Sequence, residues 1–247
     1  MNGMIHPDLA GWLEDCLMRE YILEQILSQK PSGEVSLWLH RRLHRRIILR
    51  RCTADPEVYK RMLGILHPNL PQIYEAVEMD GKLLVLEEYI DGRLLSEEME
   101  QLVGKKEQVC QIALKLCDAV ACLHDAGIIH RDIKSENVMV EAAGGQIRLI
   151  DLTAARCKKV SDPESCDTVC LGTAPYAAPE QFGVTRTDER TDIYAIGILL
   201  NILVTGKHPS QIICPGGLGK IIRRCIRVNA DERYHSVRQL KNALWNL

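Results

Sequence analysis

The sequence predicts an α+β chain in two lobes: an N-terminal five-stranded, mostly antiparallel sheet with one helix against it, then a C-terminal lobe that is mostly helical. Three observations carry this reading. Short strand-like apolar runs crowd residues 21–90. Apolar residues at helical spacing dominate after Asp91-Gly92. A break near Glu88–Gly92 separates the two patterns and reads as a hinge. The boundaries that follow are a helical extension over 1–20, a small lobe over 21–90 and a large lobe over 91–247.

In chain order, residues 8–20 read as a short helix, followed by strands at Tyr21–Leu27, Val35–Leu39, Arg46–Arg51, Ile73–Val77 and Leu83–Glu88. Between the third and fourth strands, Val58, Met62, Leu63 and Leu66 recur at helical spacing and predict a helix over Pro56–Leu66. Asp80-Gly81 is a hairpin turn signal. In the large lobe, Val109, Ile112, Leu116, Val120 and Leu123 mark one apolar helix face, with Gly127 placed just past its end. Two short strands, Val138–Val140 and Ile147–Ile150, flank Gly144-Gly145. Thr153 to Thr173 is polar, aperiodic and carries five hydroxyl side chains, so it reads as a long loop. A helix buried on all sides runs from Asp192, and further helices fall near Leu218–Ile226 and Ser236–Leu247. The short connection from Gly206 to Leu218 leaves little room for an inserted helix.

Composition excludes several classes. A net charge of −2 gives no global pull toward nucleic acid or an anionic membrane. The apolar run Ile193–Val204 is too short to span a bilayer and contains Asn201. Asp8, Glu14, Asp15 and Glu20 interrupt any leader-like apolar run. The ten cysteines form no Cys-x-x-Cys pair, which suits free thiols in a reducing compartment. The expectation is a soluble, cytoplasmic chain that binds neither nucleic acid nor membrane.

The chemistry concentrates in His130-Arg131-Asp132-Ile133-Lys134-Ser135-Glu136-Asn137. Asp132 can accept or orient a hydroxyl proton, Lys134 can neutralise phosphate charge, and Asn137 offers an oxygen ligand to a hard cation such as Mg²⁺. Asp151 follows one hairpin later as a second carboxylate for the metal.

This run resembles the catalytic loop of Ser/Thr protein kinases, and Asp151-Leu152-Thr153 sits where that family has Asp-Phe-Gly. Gly172-Thr173-Ala174-Pro175-Tyr176-Ala177-Ala178-Pro179-Glu180 resembles the close of the activation loop. Asp192, Tyr194 and Gly197 match a buried helix, Arg233 matches the arginine paired with the Ala-Pro-Glu glutamate (here Glu180), and His67-Pro68-Asn69 matches a turn after the regulatory helix. The resemblance implies ATP and Mg²⁺ as cofactors, with Asp132 as base, Lys134 balancing charge, and Asn137 and Asp151 on the metal. It places Gly33, Val35, Ile48, Arg50, Glu57, Glu87, Glu88, Ile90 and Met139 at the ATP-binding positions. Lys134 implies a serine or threonine acceptor on a protein substrate. Arg131 implies control through activation-loop phosphorylation, with Thr168 the favoured site ahead of Ser161 and Ser165. Thr173 is expected to bond near Asp132 and Lys134.

The small lobe departs from the family pattern. Ser28, Lys30 and Gly33 fall on the three glycines of the phosphate loop, and Pro31 removes a backbone donor. Lys30 reads either as a compensating cation or as a solvated surface residue. Arg50 replaces the strand lysine, with Glu57 as its expected partner on the helix. Alternation puts Arg50 on one strand face with Ile48, where the family has a small alanine above adenine. Glu87 takes a usually apolar position behind the adenine and needs a cation or the adenine amino group, with Glu88-Tyr89-Ile90 as hinge. Thr153 in place of glycine should stiffen its turn. The preferred reading is an active Ser/Thr protein kinase. The alternative is a pseudokinase, a nucleotide-responsive or nucleotide-free module regulating a protein partner. A nucleic-acid-binding role for the Arg-rich 41–51 run lacks interleaved aromatics apart from Trp38.

Overall fold

The computed structural model describes residues 9–31, 33–158, 173, 175–182 and 187–247. It divides into two units. The first takes the chain to Leu66 together with Pro71–Tyr89, and the second takes His67–Leu70 and Ile90–Leu247.

In the first unit, helix α1 (Leu9–Glu20) leads into strands β1 (Tyr21–Lys30), β2 (Gly33–His40) and β3 (Arg46–Cys52), helix α2 (Pro56–Met62), and strands β4 (Ile73–Met79) and β5 (Lys82–Glu88). The sheet order is β1-β2-β3-β5-β4, antiparallel at every pairing. The Asp80-Gly81 turn has both residues at positive φ, 50° and 72°, as a two-residue hairpin of matching twist requires. Alternation along β3 sorts the two faces. Ile47 and Leu49 join Trp38 and Leu84 in a core that Leu13 and Leu17 of α1 cover. The extension is therefore part of the small unit's core: its two leucines stand one turn apart and bury against the sheet, each contributing about 1.5–3 kcal/mol. Ile48, Arg50, Val85 and Glu87 share the opposite face.

Gly33 has a packing role. A Cβ there would stand 2.2 Å from the Arg51 carbonyl oxygen, so only glycine lets β2 start this close to β3. Helix α2 ends at Met62, a turn short of the predicted Leu66. Gly64 takes φ +83° and Leu66 is 73% exposed, so the apolar spacing that includes Leu66 does not report a buried face. The residue before Pro68 is itself disfavoured in a helix.

The second unit contains β6 (Gly92–Leu94), α3 (Leu95–Leu102), α4 (Lys106–Asp125), β7 (Ile128–Ile129), β8 (Val138–Glu141), β9 (Ile147–Leu149), β10 (Arg156–Cys157), α5 (Glu189–Thr205), α6 (Gly216–Cys225) and α7 (Val237–Trp245). Strands β6, β8 and β9 form one small sheet, and β10 pairs with β7. The β10 bridge lies inside the segment read as loop from its sequence, because two residues are too few to show a period. His67-Pro68-Asn69 is stitched into this unit: Asn69 Nδ2 donates to Ile147 O at 2.8 Å, and Leu149 N–H donates to Asn69 O at 2.9 Å.

Helix α5 is buried along its length. Asn201 on it is fully buried and satisfied, donating to the carbonyls of Lys207 and Ile212 and accepting from Cys214 N–H. That side chain shapes the short connection to α6. Gly197 lets α5 and α6 meet, since a Cβ there would stand 2.4 Å from Cys225 Cβ. The described cysteines are all free thiols. Among the described residues, no helix is long and apolar enough to cross a membrane.

Candidate active site

Asp132 lies on the loop between β7 and β8, and three side chains converge on it. Lys134 Nζ donates to Asp132 Oδ2 at 2.7 Å and to Thr173 Oγ1 at 2.6 Å. Thr173 Oγ1 in turn donates to Asp132 Oδ1 at 2.9 Å. Asn137 Nδ2 donates to Asp132 O at 2.8 Å and to Oδ2 at 2.9 Å. The carboxylate is thus held from both sides in a half-buried setting, with a cation beside it.

The same bonds orient Asn137. Its amide nitrogen is turned to Asp132, so its oxygen points away as a ligand for a hard cation. Ile150 N–H donates to Asn137 O at 2.8 Å, which places Asp151 beside it in the chain. A carboxamide oxygen and a carboxylate oxygen on adjacent segments are the few protein ligands that Mg²⁺ takes when phosphates supply others. The residues therefore fit that ion.

The loop backbone is strained and anchored. Arg131 has φ +69° and Asp151 φ +66°; the left-handed region is uncommon for Arg and one that Asp enters more readily. Asp192, fully buried on α5, holds the first of these: it accepts from His130 N–H at 3.0 Å and Arg131 N–H at 2.8 Å, and pairs with His124 Nε2 at 2.8 Å. Burial alone would raise its pKa, but the His124 hydrogen bond, the nearby His124 and His130 and the Arg131 amide hold it below the ordinary value. Gln181 adds a second tie, donating to Arg131 O at 2.8 Å while accepting from Ala178 N–H. His124 and Gln181 escape sequence reasoning because a lone polar residue in an apolar helix or at a loop end gives no periodic signal.

Glu180 and Arg233 form a two-pronged pair at 2.7 and 2.8 Å, with Arg233 fully buried. Burial pushes the Glu180 carboxyl up, but the Arg233 hydrogen bonds, a backbone hydrogen bond, the Arg233 charge and the Thr191 hydroxyl together outweigh it, and the net shift is downward. A depressed native pKa means that this pair's contribution is complete above 4.5, the ordinary glutamate value, and is lost as pH falls through the lower native one. The difference in melting midpoint between wild type and Glu180→Gln is accordingly expected to be full above that pH and to shrink below it. A difference that shrinks well above pH 4.5 would contradict this.

In the first unit, Arg50 Nε donates to Glu87 Oε1 at 2.6 Å, and both side chains are more than nine-tenths buried. The partner differs from the expected Glu57. Glu57 is exposed and pairs with Arg61 one helical turn on, at 3.0 Å. The register explains the exchange. Ile48 faces Glu87 across β3 and β5, so Arg50, two residues along the same face, meets Glu87 on the diagonal. Ile48 is buried beside this pair, while Val35 and Met139 are half-buried on β2 and β8. Glu88 accepts from Gln72 N–H through Oε2 and donates its own N–H to Gln72 O, and Ile90 is buried in the second unit. Thr153 is not at positive φ. The left-handed residue of that turn is Asp151, so the position does not require glycine. Thr168, Ser161 and Ser165 lie outside the described residues.

The family model described as protein kinase domain matches residues 51–244. Serine/threonine-protein kinase PknB of Mycobacterium leprae is 30% identical over 210 residues, covering 78% of this chain and 33% of that protein. Serine/threonine-protein kinase B of Synechocystis sp. is 27% identical over 231 residues, covering 79% and 40%. Ribosomal protein S6 kinase alpha-4 of Mus musculus is 32% identical over 149 residues, covering 59% and 19%. The chain belongs to the protein kinase family. Within it, its similarity extends to bacterial serine/threonine kinases of the PknB type. The chain spans between 19% and 40% of the length of these curated relatives.

Proposed function

We propose that this chain is a Ser/Thr protein kinase that transfers the γ-phosphoryl of Mg-ATP to a hydroxyl on a protein substrate. The observation that carries the proposal is the Asp132–Lys134–Thr173–Asn137 cluster, in which the residues needed for phosphoryl transfer hold one another in place. Asp132 orients the substrate hydroxyl and takes its proton as the new phosphorus–oxygen bond forms and the bond to the β–γ bridging oxygen breaks. Lys134 sits beside Asp132 and balances charge on the group in transfer. Asn137 Oδ1 and the Asp151 carboxylate would hold Mg²⁺, which when bound neutralises developing phosphate charge.

Thr173 bridges Lys134 and Asp132 and so ties the close of the activation loop to the base. That tie supports regulation through this segment, with Thr168 as the phosphorylation site and Arg131 as the cation it serves. We place the chain in the cytoplasm, where the thiols of its described cysteines would stay reduced. The pseudokinase alternative gains no support, since the cluster is complete and the matched relatives carry kinase names.

The test is transfer from labelled ATP with Mg²⁺ to a generic basic protein and to the chain itself. Wild type is expected to transfer label, and Asp132→Asn and Asp151→Ala each to lose it by about 100-fold or more. Equal labelling by wild type and both variants would remove the assignment of these residues.

A further inference from the structure

Thr153 meets Asp151 twice. Its backbone N–H donates to Oδ1 at 3.1 Å, and its Oγ1 donates to the same oxygen at 2.7 Å. The turn around them is closed and anchored: Leu152 and Ala155 are buried, and Ala155 N–H donates to Leu152 O at 3.0 Å. Asp151 itself stands in the left-handed region at φ +66°, so its backbone already departs from the conformation most residues prefer. Two donors on one carboxylate oxygen then restrict both side-chain torsions of Asp151. A residue without a hydroxyl at 153 would supply only the backbone donor.

We propose that Thr153 is a positioning residue, its hydroxyl holding the Asp151 carboxylate in the orientation in which it meets a divalent cation. This rests on the reading of Asp151 as a cation ligand given above. Outer partners of metal-binding carboxylates act in this way: they fix the ligand before the ion arrives, so the ordering cost is not met at binding. The hydroxyl thus does what the glycine of the family pattern cannot, and the substitution at 153 strengthens the metal side of the site.

The experiment titrates Mn²⁺ into the full chain with a non-hydrolysable ATP analogue, following free Mn²⁺ by electron paramagnetic resonance. Thr153→Val keeps the shape and removes the hydroxyl, while Thr153→Ser keeps the hydroxyl. Thr153→Val is expected to bind Mn²⁺ about tenfold more weakly, and Thr153→Ser to stay within about twofold of wild type. Melting of the metal-free protein, run beside each titration, is expected to move little for either variant, which separates positioning from folding. Mn²⁺ binding by Thr153→Val equal to wild type overturns the role of Thr153 and leaves the kinase reading standing. A wild-type chain that binds no Mn²⁺ with the analogue overturns the kinase reading, and the role of Thr153 with it.

Discussion

Glu87→Ala is expected to destabilise the small unit by about 1.5–3 kcal/mol, because it removes the buried carboxylate that accepts from Arg50 Nε. The pair is short, at 2.6 Å, and 9% and 7% of the two side chains remain exposed, so solvent cannot take over the lost partner. For a chain of this size the loss corresponds to a fall of roughly 5 °C in the melting midpoint. Glu87→Gln, which keeps an acceptor oxygen, is expected to lose less. Replacing both partners by apolar residues of similar volume is expected to be near neutral, since desolvation of the two charges offsets most of their attraction. Differential scanning calorimetry of the single and double variants reads this directly. Glu87→Ala melting together with wild type would show that Arg50 is stabilised by other groups. The same anchoring means that Arg50 is fixed through the sheet, on which Glu87 also sits, and does not rely on Glu57, which is occupied with Arg61.

The second large effect is expected at Asp192, a residue whose side chain supports the loop that carries Asp132, the proposed base. Asp192→Ala leaves the amides of His130 and Arg131 and the ring nitrogen of His124 without their buried acceptor. Each of the three orphaned groups costs about 1–3 kcal/mol, so the variant should lose about 3–9 kcal/mol in total. Arg131 would also lose the bond that compensates its left-handed backbone. Asp132 is the next residue, and displacing it by an ångström is expected to lower transfer by about 100-fold even at temperatures where the variant remains folded. Measuring kcat/KM and the melting curve on one sample separates the two losses. A variant that melts early yet transfers at the wild-type rate would show that Asp132 keeps its place without Asp192.

Much of this was legible in the sequence, for identifiable reasons. The strands of the small unit are short apolar runs with a hairpin turn of unambiguous chemistry at Asp80-Gly81, and α4 and α5 carry enough apolar residues for their faces to show. The loop from His130 to Asn137 holds its chemistry within eight consecutive residues, and no folding is needed to bring them near one another. Helix α3 was illegible because just two of its residues, Leu95 and Leu102, are buried, which is too sparse a stripe to read. The end of α2 was misjudged because Leu63 and Leu66 fit the helical spacing while facing solvent.

By itself the sequence determined the fold class, the identity of the loop carboxylate, its lysine and its carboxamide, and the buried character of α5. These follow from local patterns, in which the residues that act together are near in the chain. Only the tertiary structure decided which glutamate accepts from Arg50 Nε, that α1 belongs to the core of the sheet, that Asp192 and Gln181 brace the loop before Asp132, and that Thr153 bonds to Asp151. Most of those contacts join residues tens of positions apart, and strand register or helix docking selects the partner. The Thr153 bond is local, but it depends on a left-handed backbone at Asp151 that composition does not reveal.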